Sequence, residues 1–467
     1  MTEYSMTING EIISSSQRFD VINPATEEIV ATAPECSEAQ LDMAVEAATR
    51  SLSEWKRDVT QRRKALGKCA EILRANVDDL AQLLTSEQGK PIRDSRGEVL
   101  RSAGLIEEFV ALEVPVEILK EDDTQRVALH RKPLGVVAAI TPWNVPLILA
   151  ALKFAPALVA GNTVVLKPSP YTPLTTLRMG ELFREILPPG VFNVISGGDN
   201  VGERLTRHPG VRKISFTGSV AAGKQVAVAG AEDLKRVTLE LGGNDPAIVL
   251  ADADPKQVAG KLYGPAFWLC GQFCMGVKRV YVHEDVYEPI VQELTTIAEG
   301  AKLGNGADPE ITMGPLNNKP QFERVIELVE DAKKSGAQFP AGGHPLQGRG
   351  YFFPPTIVTE ITDGVRLVDE EQFGPALPVM PFKDVEQVIE RANATHYGLG
   401  GSVWTNDIEL GASVVSKLDC GTGWVNQHGS PGMFAPFGGA KWSGIGYEYG
   451  IWGLDAFTQY QVINIAK

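Results

Sequence analysis

The hydrophobic pattern of the first 115 residues predicts short strands followed by helices. Apolar and polar positions alternate within residues 7–32, where Asn9-Gly10 is a typical hairpin turn. Residues 37–40 have the spacing of a capping box, and apolar residues then recur at helical spacing as far as Gly89, which predicts three helices. Only about two further helical turns are expected before Val114.

Between residues 133 and 250 the pattern changes to short β-rich runs separated by helical segments. The predicted strands are 135–140, 163–166, 191–195, 213–216 and 237–239, and the predicted helices are 147–160, 173–187, 200–207 and 220–230. This alternation predicts a parallel, doubly wound sheet, whose ligands bind at the carboxyl ends of its strands. Three segments with polar residues fall at such ends: 141–144, 167–170 and 216–219. No Gly-x-Gly-x-x-Gly occurs in the expected setting, so an ordinary Rossmann fingerprint is absent.

A second α/β region is predicted from about residue 243 to 440. Its clearest elements are a helix near 254–268, a strand at 278–282 and a helix at 286–300. Two further segments, 124–133 and 458–463, alternate in a mixed polar manner that suits exposed or intersubunit strands.

Composition narrows the classes of function. The chain has 467 residues, 43% of them hydrophobic and 22% charged, which indicates a globular protein of two or three domains. The formal net charge of −14 disfavours nucleic acid as a partner. Five cysteines without paired spacing argue against a disulfide framework or a structural metal site and fit a reducing compartment. Since neither a secretory signal nor a membrane-spanning run is visible, we expect a cytoplasmic protein with no membrane partner.

One almost entirely apolar stretch, Phe267–Arg279, contains two cysteines four residues apart. Gly271-Gln272 lies just before the second, Cys274. A helix beginning near Met275 would direct its amide N–H groups at the Cys274 thiol and lower the thiol pKa. The alternative is a buried structural cysteine, which this stretch by itself favours.

The wider sequence places Cys274 in a recognisable series of motifs. Glu240 lies in Leu-Glu-Leu-Gly-Gly, 34 residues before Cys274, and Asn144 ends Thr-Pro-Trp-Asn. The series continues with Val-Val-Leu-Lys-Pro-Ser, Phe-Thr-Gly-Ser, Gly-Gln-x-Cys, Glu-x-Phe-Gly-Pro and Pro-Phe-Gly-Gly-x-Lys-x-Ser-Gly. In these motifs and their order, the chain resembles the aldehyde dehydrogenase superfamily over essentially its whole length.

The resemblance implies an α/β, aldehyde dehydrogenase-like fold in three parts. A Rossmann-like parallel-sheet cofactor domain would comprise residues 1–115 and 134–242. An α/β catalytic domain would comprise residues 243–445. A small β oligomerisation element, residues 116–133 and 446–467, would join subunits into a homodimer or homotetramer, because a two-stranded unit exposed alone is marginally stable.

The resemblance also implies an NAD(P)-dependent, non-acylating enzyme that oxidises an aldehyde. Cys274 would be the nucleophile, the Asn144 side chain and the Cys274 backbone N–H the oxyanion donors, and Glu240 the general base that activates water. Each residue has a structural alternative: Asn144 as a turn residue, Glu240 as a solvated strand end and Cys274 as core packing. Two other functions stay open, a CoA-acylating relative, which usually lacks the glutamate, and a catalytically silent structural relative.

Cofactor contacts carry over from the same motifs. By resemblance the residues that would contact NAD or NADP are Thr141, Pro142, Trp143, Lys167, Ser169, Pro170, Gly218, Ser219, Gly223, Gly243, Glu371 and Phe373. Lys167 would bond the adenosine ribose, the segment at Ser219 would precede a helix facing the pyrophosphate, and Glu371 would hold the nicotinamide ribose. Pro170 departs from the glutamate usual in NAD-preferring members, which leaves the choice between NAD and NADP open.

Three other departures stand out. Leu269 replaces an asparagine common in the family, Tyr447 replaces an arginine, and Gln459 replaces a frequent glutamate. In relatives the arginine and glutamate belong to one intersubunit charge network. Because losing both partners is milder than stranding one buried charge, we expect normal assembly.

The substrate tunnel implied by the resemblance has an uncharged lining. Its residues would be Val145, Leu149, Leu152, Trp268, Phe273, Met275 and Phe437. An apolar tunnel disfavours an unpaired charge, so we expect an aromatic or medium-chain aliphatic aldehyde rather than a carboxylate-bearing semialdehyde. Cys270 has no family role, and its nearness suggests a disulfide with Cys274 under oxidation, provided the Cα atoms lie within about 7 Å.

Overall fold

The computed structural model of the chain describes residues 3–467. Its strands are β1 (Met6–Ile8), β2 (Glu11–Ile13), β3 (Arg18–Ile22), β4 (Ile29–Pro34), β5 (Glu117–Glu121), β6 (Gln125–Pro133), β7 (Val136–Ile140), β8 (Thr163–Lys167), β9 (Phe192–Val194), β10 (Val211–Thr217), β11 (Arg236–Glu240), β12 (Asp245–Val249), β13 (Val277–His283), β14 (Gln338–Ala341), β15 (Thr356–Thr359), β16 (Ala376–Phe382), β17 (Gly400–Trp404), β18 (Thr422–Val425), β19 (Gly444–Ile445) and β20 (Thr458–Ala466).

Its α-helices are α1 (Glu38–Trp55), α2 (Val59–Ala75), α3 (Val77–Gln88), α4 (Ile92–Ala111), α5 (Pro146–Val159), α6 (Leu174–Phe183), α7 (Asp199–Arg207), α8 (Val220–Glu232), α9 (Pro255–Phe267), α10 (Tyr287–Glu299), α11 (Lys319–Lys334), α12 (Arg366–Asp369), α13 (Val385–Asn393), α14 (Ile408–Val415) and α15 (Gly450–Asp455).

The first large sheet has the strand order β19-β11-β10-β7-β8-β9-β1-β2. The five strands from β11 to β9 are parallel to one another. Every residue of β7 and β8 is buried, as expected of parallel strands on which helices pack, here α1 and α5 among others. The predicted parallel, doubly wound sheet is therefore confirmed.

The N-terminal elements also follow the sequence pattern, with one exception. β1 and β2 form the hairpin with left-handed Asn9 and Gly10, and Ser37 and Gln40 form the capping box of α1. α4, however, is 20 residues long where about two turns were expected. Its buried face includes Ser95, Glu98 and Ser102 beside apolar residues, so its hydrophobic stripe is too interrupted to show in the sequence.

The second large sheet has the order β14-β15-β16-β13-β12-β17-β18. All its pairs are parallel except that between β14 and β15. β13 lies inside the sheet, between β12 and β16, and most of its residues are buried. This position matters because the cysteine stretch leads directly into β13.

A third sheet, of order β20-β6-β5, contains the two strands expected to meet another subunit. β6 and β20 pair over nine residues each, from Gln125 to Pro133 and from Thr458 to Ala466. Several of the sheet's large apolar side chains are exposed in the single chain: Ile118, Leu119, Tyr460, Val462 and Ile465. No helix among residues 3–467 has the length and apolar character needed to cross a membrane.

Candidate active site

The carboxyl ends of four neighbouring parallel strands meet at one edge of the first sheet. Ile140 of β7 lies in register with Lys167 of β8 and with Phe216 of β10, and Thr217 of β10 lies in register with Glu240 of β11. The three segments singled out in the sequence therefore leave the sheet at the same edge as Glu240. This edge is where a doubly wound sheet binds its ligands.

Cys274 lies in the loop that leads into β13. A 3₁₀ helix spans Trp268–Gly271, and β13 begins at Val277. The helix expected near Met275 is therefore wrong, because the chain is already extended at Val277, where β13 pairs with β12. Pairing within a sheet overrides local preference, so the helix N-terminus that was expected to lower the Cys274 pKa does not exist.

Burial instead raises the pKa of the Cys274 thiol to about 12, and the Glu371 carboxylate raises it further, whereas Lys278 lowers it. In this state the thiol is protonated and needs a base before it can attack. Cys270 differs: it is buried, its Sγ contacts the Phe353 carbonyl at 3.8 Å, and burial raises its pKa. Both thiols are free.

Leu269 and Cys270 adopt left-handed backbone conformations, with φ of 53° and 58°. An asparagine at position 269 would adopt this conformation at a lower cost than leucine does. The chain therefore holds a strained turn directly before its candidate nucleophile.

Asn144 ties the edge of the first sheet to the cysteine loop. Its Nδ2 donates to the carbonyl oxygen of Gln272 at 3.0 Å, and its own carbonyl oxygen accepts from Lys90 Nζ at 2.8 Å. Lys90 forms a buried ion pair with Glu98, which accepts from the backbone N–H of Leu147 at 2.8 Å. The amide of Asn144 is thus held close to the loop while its second N–H is not engaged by Gln272.

A cavity of about 480 Å³ contains both Cys274 and Glu240. All seven residues predicted for the substrate tunnel line it: Val145, Leu149, Leu152, Trp268, Phe273, Met275 and Phe437. Trp268 and Phe273 meet edge to face, with ring centroids 4.8 Å apart, and form an aromatic wall. The seven residues therefore lie around one cavity, and their role in binding a substrate stays a prediction.

Glu240 is buried, and neither carboxylate oxygen has a hydrogen-bond partner within residues 3–467. Burial raises the pKa of its carboxyl well above the usual value, and the charge of Glu448 raises it further, while Lys153 lowers it. A carboxylate that is uncommitted and has a raised pKa has the properties of a general base.

Two charged residues that act on the Glu240 pKa, Lys153 and Glu448, were not predicted. Lys153 Nζ is 2.9 Å from Glu448 Oε1 and donates to Thr217 Oγ1 at 2.7 Å, and both charged side chains are buried. One signal was available in the sequence, since Lys153 is the single charged residue of the otherwise apolar α5. A lone charge on a fully buried helix requires a partner.

The cavity wall also contains Arg101, His428 and Tyr449, which the sequence analysis missed. Arg101 Nη1 donates to Glu108 at 2.8 Å on α4, and the other charged residues of the cavity wall are Glu240 and Glu448. No sequence signal identified Arg101, because α4 itself was not predicted at its full length.

A second cavity, of about 950 Å³, lies along the carboxyl edge of the first sheet. Eight of the predicted cofactor residues line it: Thr141, Pro142, Trp143, Lys167, Ser169, Pro170, Gly218 and Ser219. Gly243, Glu371 and Phe373 do not line it and form a neighbouring group, in which the Gly243 backbone N–H donates to Glu371 Oε1 at 3.0 Å. The Phe373 ring meets Trp143 edge to face at 5.3 Å, which links the two groups.

The residues of this cavity fit a dinucleotide. Lys167 is buried and its Nζ donates only to the Pro168 carbonyl, at 3.2 Å, so donors remain for ribose hydroxyls. Burial lowers the pKa of Lys167 to about 8. Ser219 is the N-cap of α8, whose first amides can meet a phosphate, and a Cβ on Gly223 would come within 2.4 Å of Leu241.

Comparisons with known proteins agree with this arrangement. The sequence profile described as "Aldehyde dehydrogenase family" matches residues 12–463. The chain is 38% identical to phenylacetaldehyde dehydrogenase of Pseudomonas fluorescens, over 99% of this chain and 96% of that protein. It is 39% identical to retinaldehyde dehydrogenase 3 of Rattus norvegicus, over 97% and 90% of the two chains.

A solved structure gives the same result. The NAD+ complex of an aldehyde dehydrogenase from Bacillus cereus superimposes with a TM-score of 0.95 at 37% identity, covering 100% of this chain and 97% of that one. The family and the aldehyde dehydrogenase-like fold predicted from the motifs are thereby confirmed. The chain belongs to the aldehyde dehydrogenase family.

Proposed function

We propose that the protein oxidises an apolar aldehyde to its carboxylic acid with NAD or NADP, using Cys274 as nucleophile and Glu240 as general base. One observation carries the proposal. The Cys274 thiol and a buried Glu240 carboxylate without hydrogen-bond partners among the described residues line the same apolar cavity. The name of the Bacillus cereus relative, an NAD+ complex, supports the cofactor class.

The first step needs a thiolate. Because burial raises the pKa of Cys274, the thiol must give its proton to a base, and Glu240 lines the same cavity with a pKa that burial raises well above its usual value. The thiolate then attacks the aldehyde carbon, a C–S bond forms, and the carbonyl oxygen becomes an oxyanion. The free N–H of Asn144 and the backbone N–H of Cys274 are the proposed donors to that oxyanion.

The chemistry that NAD or NADP would supply when bound is a hydride acceptor for oxidation of the Cys274 adduct to a thioester. Lys167 would bind the adenosine ribose, the N-terminus of α8 at Ser219 the pyrophosphate, and Glu371 the nicotinamide ribose. These roles are supported by the spare donors of Lys167 and by the position of Glu371 against the Gly243 backbone.

Hydrolysis of the thioester is assigned to Glu240. Once the proton taken from Cys274 has passed to solvent, the Glu240 carboxylate takes a proton from water, and the water oxygen bonds to the acyl carbon. The C–S bond then breaks to release the acid, and the proton on Glu240 returns to the leaving Cys274 thiolate. The paired residues Lys153 and Glu448 act on Glu240 with opposite effects: the charge of Glu448 raises the Glu240 pKa, and that of Lys153 lowers it. The base is thus tuned by two buried charges of opposite sign.

The substrate proposed is an aromatic or medium-chain aliphatic aldehyde. The seven predicted apolar residues line the cavity. Its one arginine, Arg101, is already paired with Glu108, and its other charged residues, Glu240 and Glu448, are acidic, so none offers a free cation to a carboxylate-bearing substrate. The names of two relatives, phenylacetaldehyde and retinaldehyde dehydrogenases, refer to apolar aldehydes. Turnover of benzaldehyde should therefore exceed that of succinate semialdehyde, and the reverse order would refute the substrate class.

We further infer the domain and assembly roles suggested by the sequence. Residues 1–115 and 134–242 would bind the cofactor, 243–445 would supply the nucleophile, and 116–133 with 446–467 would join subunits into a homodimer or homotetramer. Exposed apolar residues on the third sheet support a second copy as the partner of that sheet. Five free thiols support a reducing, cytoplasmic location.

One experiment separates the proposal from its alternatives. Reduction of NAD and NADP is followed with a panel of aldehydes, with and without CoA, for the wild type and for Cys274→Ala. We expect turnover without CoA in the wild type and none in C274A. Dependence on CoA would indicate an acylating enzyme, and activity that survives in C274A would refute the role of Cys274. Absence of any turnover would favour a silent relative.

A further inference from the structure

Lys278, on β13 four residues after Cys274, has an unusual environment for a lysine. Its side chain is buried, and its Nζ donates to the carbonyl oxygens of Phe273 at 2.5 Å and Gly271 at 3.3 Å. Among residues 3–467 no carboxylate forms an ion pair with it. Burial lowers the pKa of the Lys278 ammonium, and the Glu371 carboxylate opposes that effect. The Nζ also lies 5.5 Å from the centroid of the Phe373 ring. Burying an ammonium without a carboxylate partner is costly.

The Phe273 carbonyl belongs to the same peptide unit as the Cys274 N–H. Because the peptide is planar, a hydrogen bond that fixes the carbonyl also fixes the direction of that N–H. The backbone N–H of Gly276 donates to the same carbonyl at 3.1 Å, so the plane is held from two sides. A cation at the oxygen also polarises the peptide and makes its N–H a stronger donor.

Lys278 also affects the pKa of the Cys274 thiol through its charge. Three carboxylates, Glu371, Glu240 and Asp245, raise the pKa of Cys274, and Lys278 is the cation that lowers it. His428 also faces this loop, with Nε2 3.0 Å from the Met275 carbonyl and 3.5 Å from Asp245 Oδ2.

Two further groups complete the surroundings of the loop. Glu448 lines the same cavity as Cys274 and Glu240, and its charge is compensated by the ion pair with Lys153. The glycine at position 276 leaves room for the ammonium, because a Cβ on Gly276 would come within 2.9 Å of Lys278 Nζ. A larger residue at Gly276 would displace the lysine.

We propose that Lys278 is a positioning residue for acyl transfer: its ammonium orients and polarises the peptide between Phe273 and Cys274 and stabilises the Cys274 thiolate. The inference rests on the proposed function of Cys274 as the nucleophile. Lys278 does not touch the reacting atoms in this arrangement; it acts through the peptide and through its charge.

The test measures Cys274 itself rather than turnover. The rate of alkylation by iodoacetamide is followed at the Cys274 peptide by mass spectrometry over a range of pH, for wild type, Lys278→Gln and Lys278→Met. Glutamine keeps a hydrogen-bond donor but loses the charge, whereas methionine loses both. We expect K278Q to slow alkylation near neutral pH by about tenfold or more, since one pKa unit is a tenfold change in thiolate.

The kcat of K278M should fall further than that of K278Q, because methionine no longer orients the Cys274 N–H. The KM for the aldehyde should stay nearly unchanged in both variants. The matched control is Lys235→Met. Lys235 Nζ also donates to two backbone carbonyls, those of Thr206 at 2.8 Å and His208 at 2.9 Å, but outside the cavity that contains Cys274. K235M should leave the alkylation profile unchanged.

Alkylation at the wild-type rate in K278Q at every pH would overturn the thiolate role, and an equal kcat in K278Q and K278M would overturn the orienting role. If K278M fails to fold, Lys278→Arg is measured instead. Because arginine keeps the positive charge, the alkylation profile of K278R should be closer to that of the wild type than the profile of K278Q is. A failure of the proposed function is distinguishable, because turnover would then be absent in wild type while the alkylation profiles still differ.

Discussion

Asn144 Nδ2 and the carbonyl oxygen of Gln272 are 3.0 Å apart, and this hydrogen bond joins the end of a strand in one large sheet to the loop that enters the other. The site therefore depends on the relative position of two sheets. Asn144 is itself held from behind by Lys90, which is paired with Glu98 on α4. Glu98 in turn accepts from the first turn of α5 at Leu147.

This chain of contacts predicts a large cost for Lys90→Met. The substitution leaves the Glu98 carboxylate buried without its cation, which typically destabilises a protein by about 3–5 kcal/mol. The thermal unfolding midpoint and the turnover should both fall. The double variant K90M/E98Q, which keeps an acceptor for the Leu147 N–H but carries no charge, should recover part of the stability. A double variant less stable than K90M would contradict the charge argument.

The raised pKa of Glu240 predicts opposite effects for its two charged neighbours. Protonated Glu240 cannot act as a base, so activity is lost as the pH falls through the pKa of Glu240. Glu448 raises that pKa and Lys153 lowers it. The acid limb of the pH–rate profile should therefore move to lower pH in Glu448→Gln and to higher pH in Lys153→Met. Limbs that move in the same direction would show that the two residues act structurally instead.

The sequence predicted the elements of the site better than its electrostatics. Thr141, Lys167 and Gly218 were located correctly because each follows a short, buried β-rich run, and such runs are read reliably when helices alternate with them. The environment of Cys274 was predicted wrongly. A local pattern suggested a helix, whereas pairing of β13 inside a sheet fixes an extended chain, and such pairing is not visible locally.

Charged groups that meet from distant positions could not be found in this way. Lys153 and Glu448 are 295 residues apart in the chain, and only the fold brings them together. Arg101 was hidden for a related reason, because the serines on the buried face of α4 interrupt its apolar period. The sequence shows the type of each residue, whereas the pKa of a side chain depends on which groups surround it in the folded protein.

Arg101 predicts how substrate preference can be changed. Its guanidinium is paired with Glu108 and both side chains are partly exposed. Glu108→Gln should free the arginine for an anionic substrate and raise kcat/KM for succinate semialdehyde by up to about fivefold, because exposed pairs are worth roughly 0.2–1 kcal/mol. Benzaldehyde should be unaffected. Arg101→Met is the control, and a gain in that variant too would exclude the arginine as the cause.

Cofactor choice is predicted to depend on position 170. Pro170 lines the large cavity together with Lys167, which is the place where a glutamate would repel a 2′-phosphate. Pro170→Glu should weaken the binding of NADP+ more than that of NAD+. The ratio of the NADP+ dissociation constant to the NAD+ dissociation constant should rise by about tenfold or more, because even a small part of a direct repulsion between two negative charges is enough for such a change. Calorimetric titration of each cofactor into the cofactor-free protein measures this ratio without turnover. Pro170→Gln is the neutral control, since it changes the turn in the same way but adds no charge. If P170Q alters the ratio as much as P170E does, the backbone at Pro170 and not the missing carboxylate sets the preference.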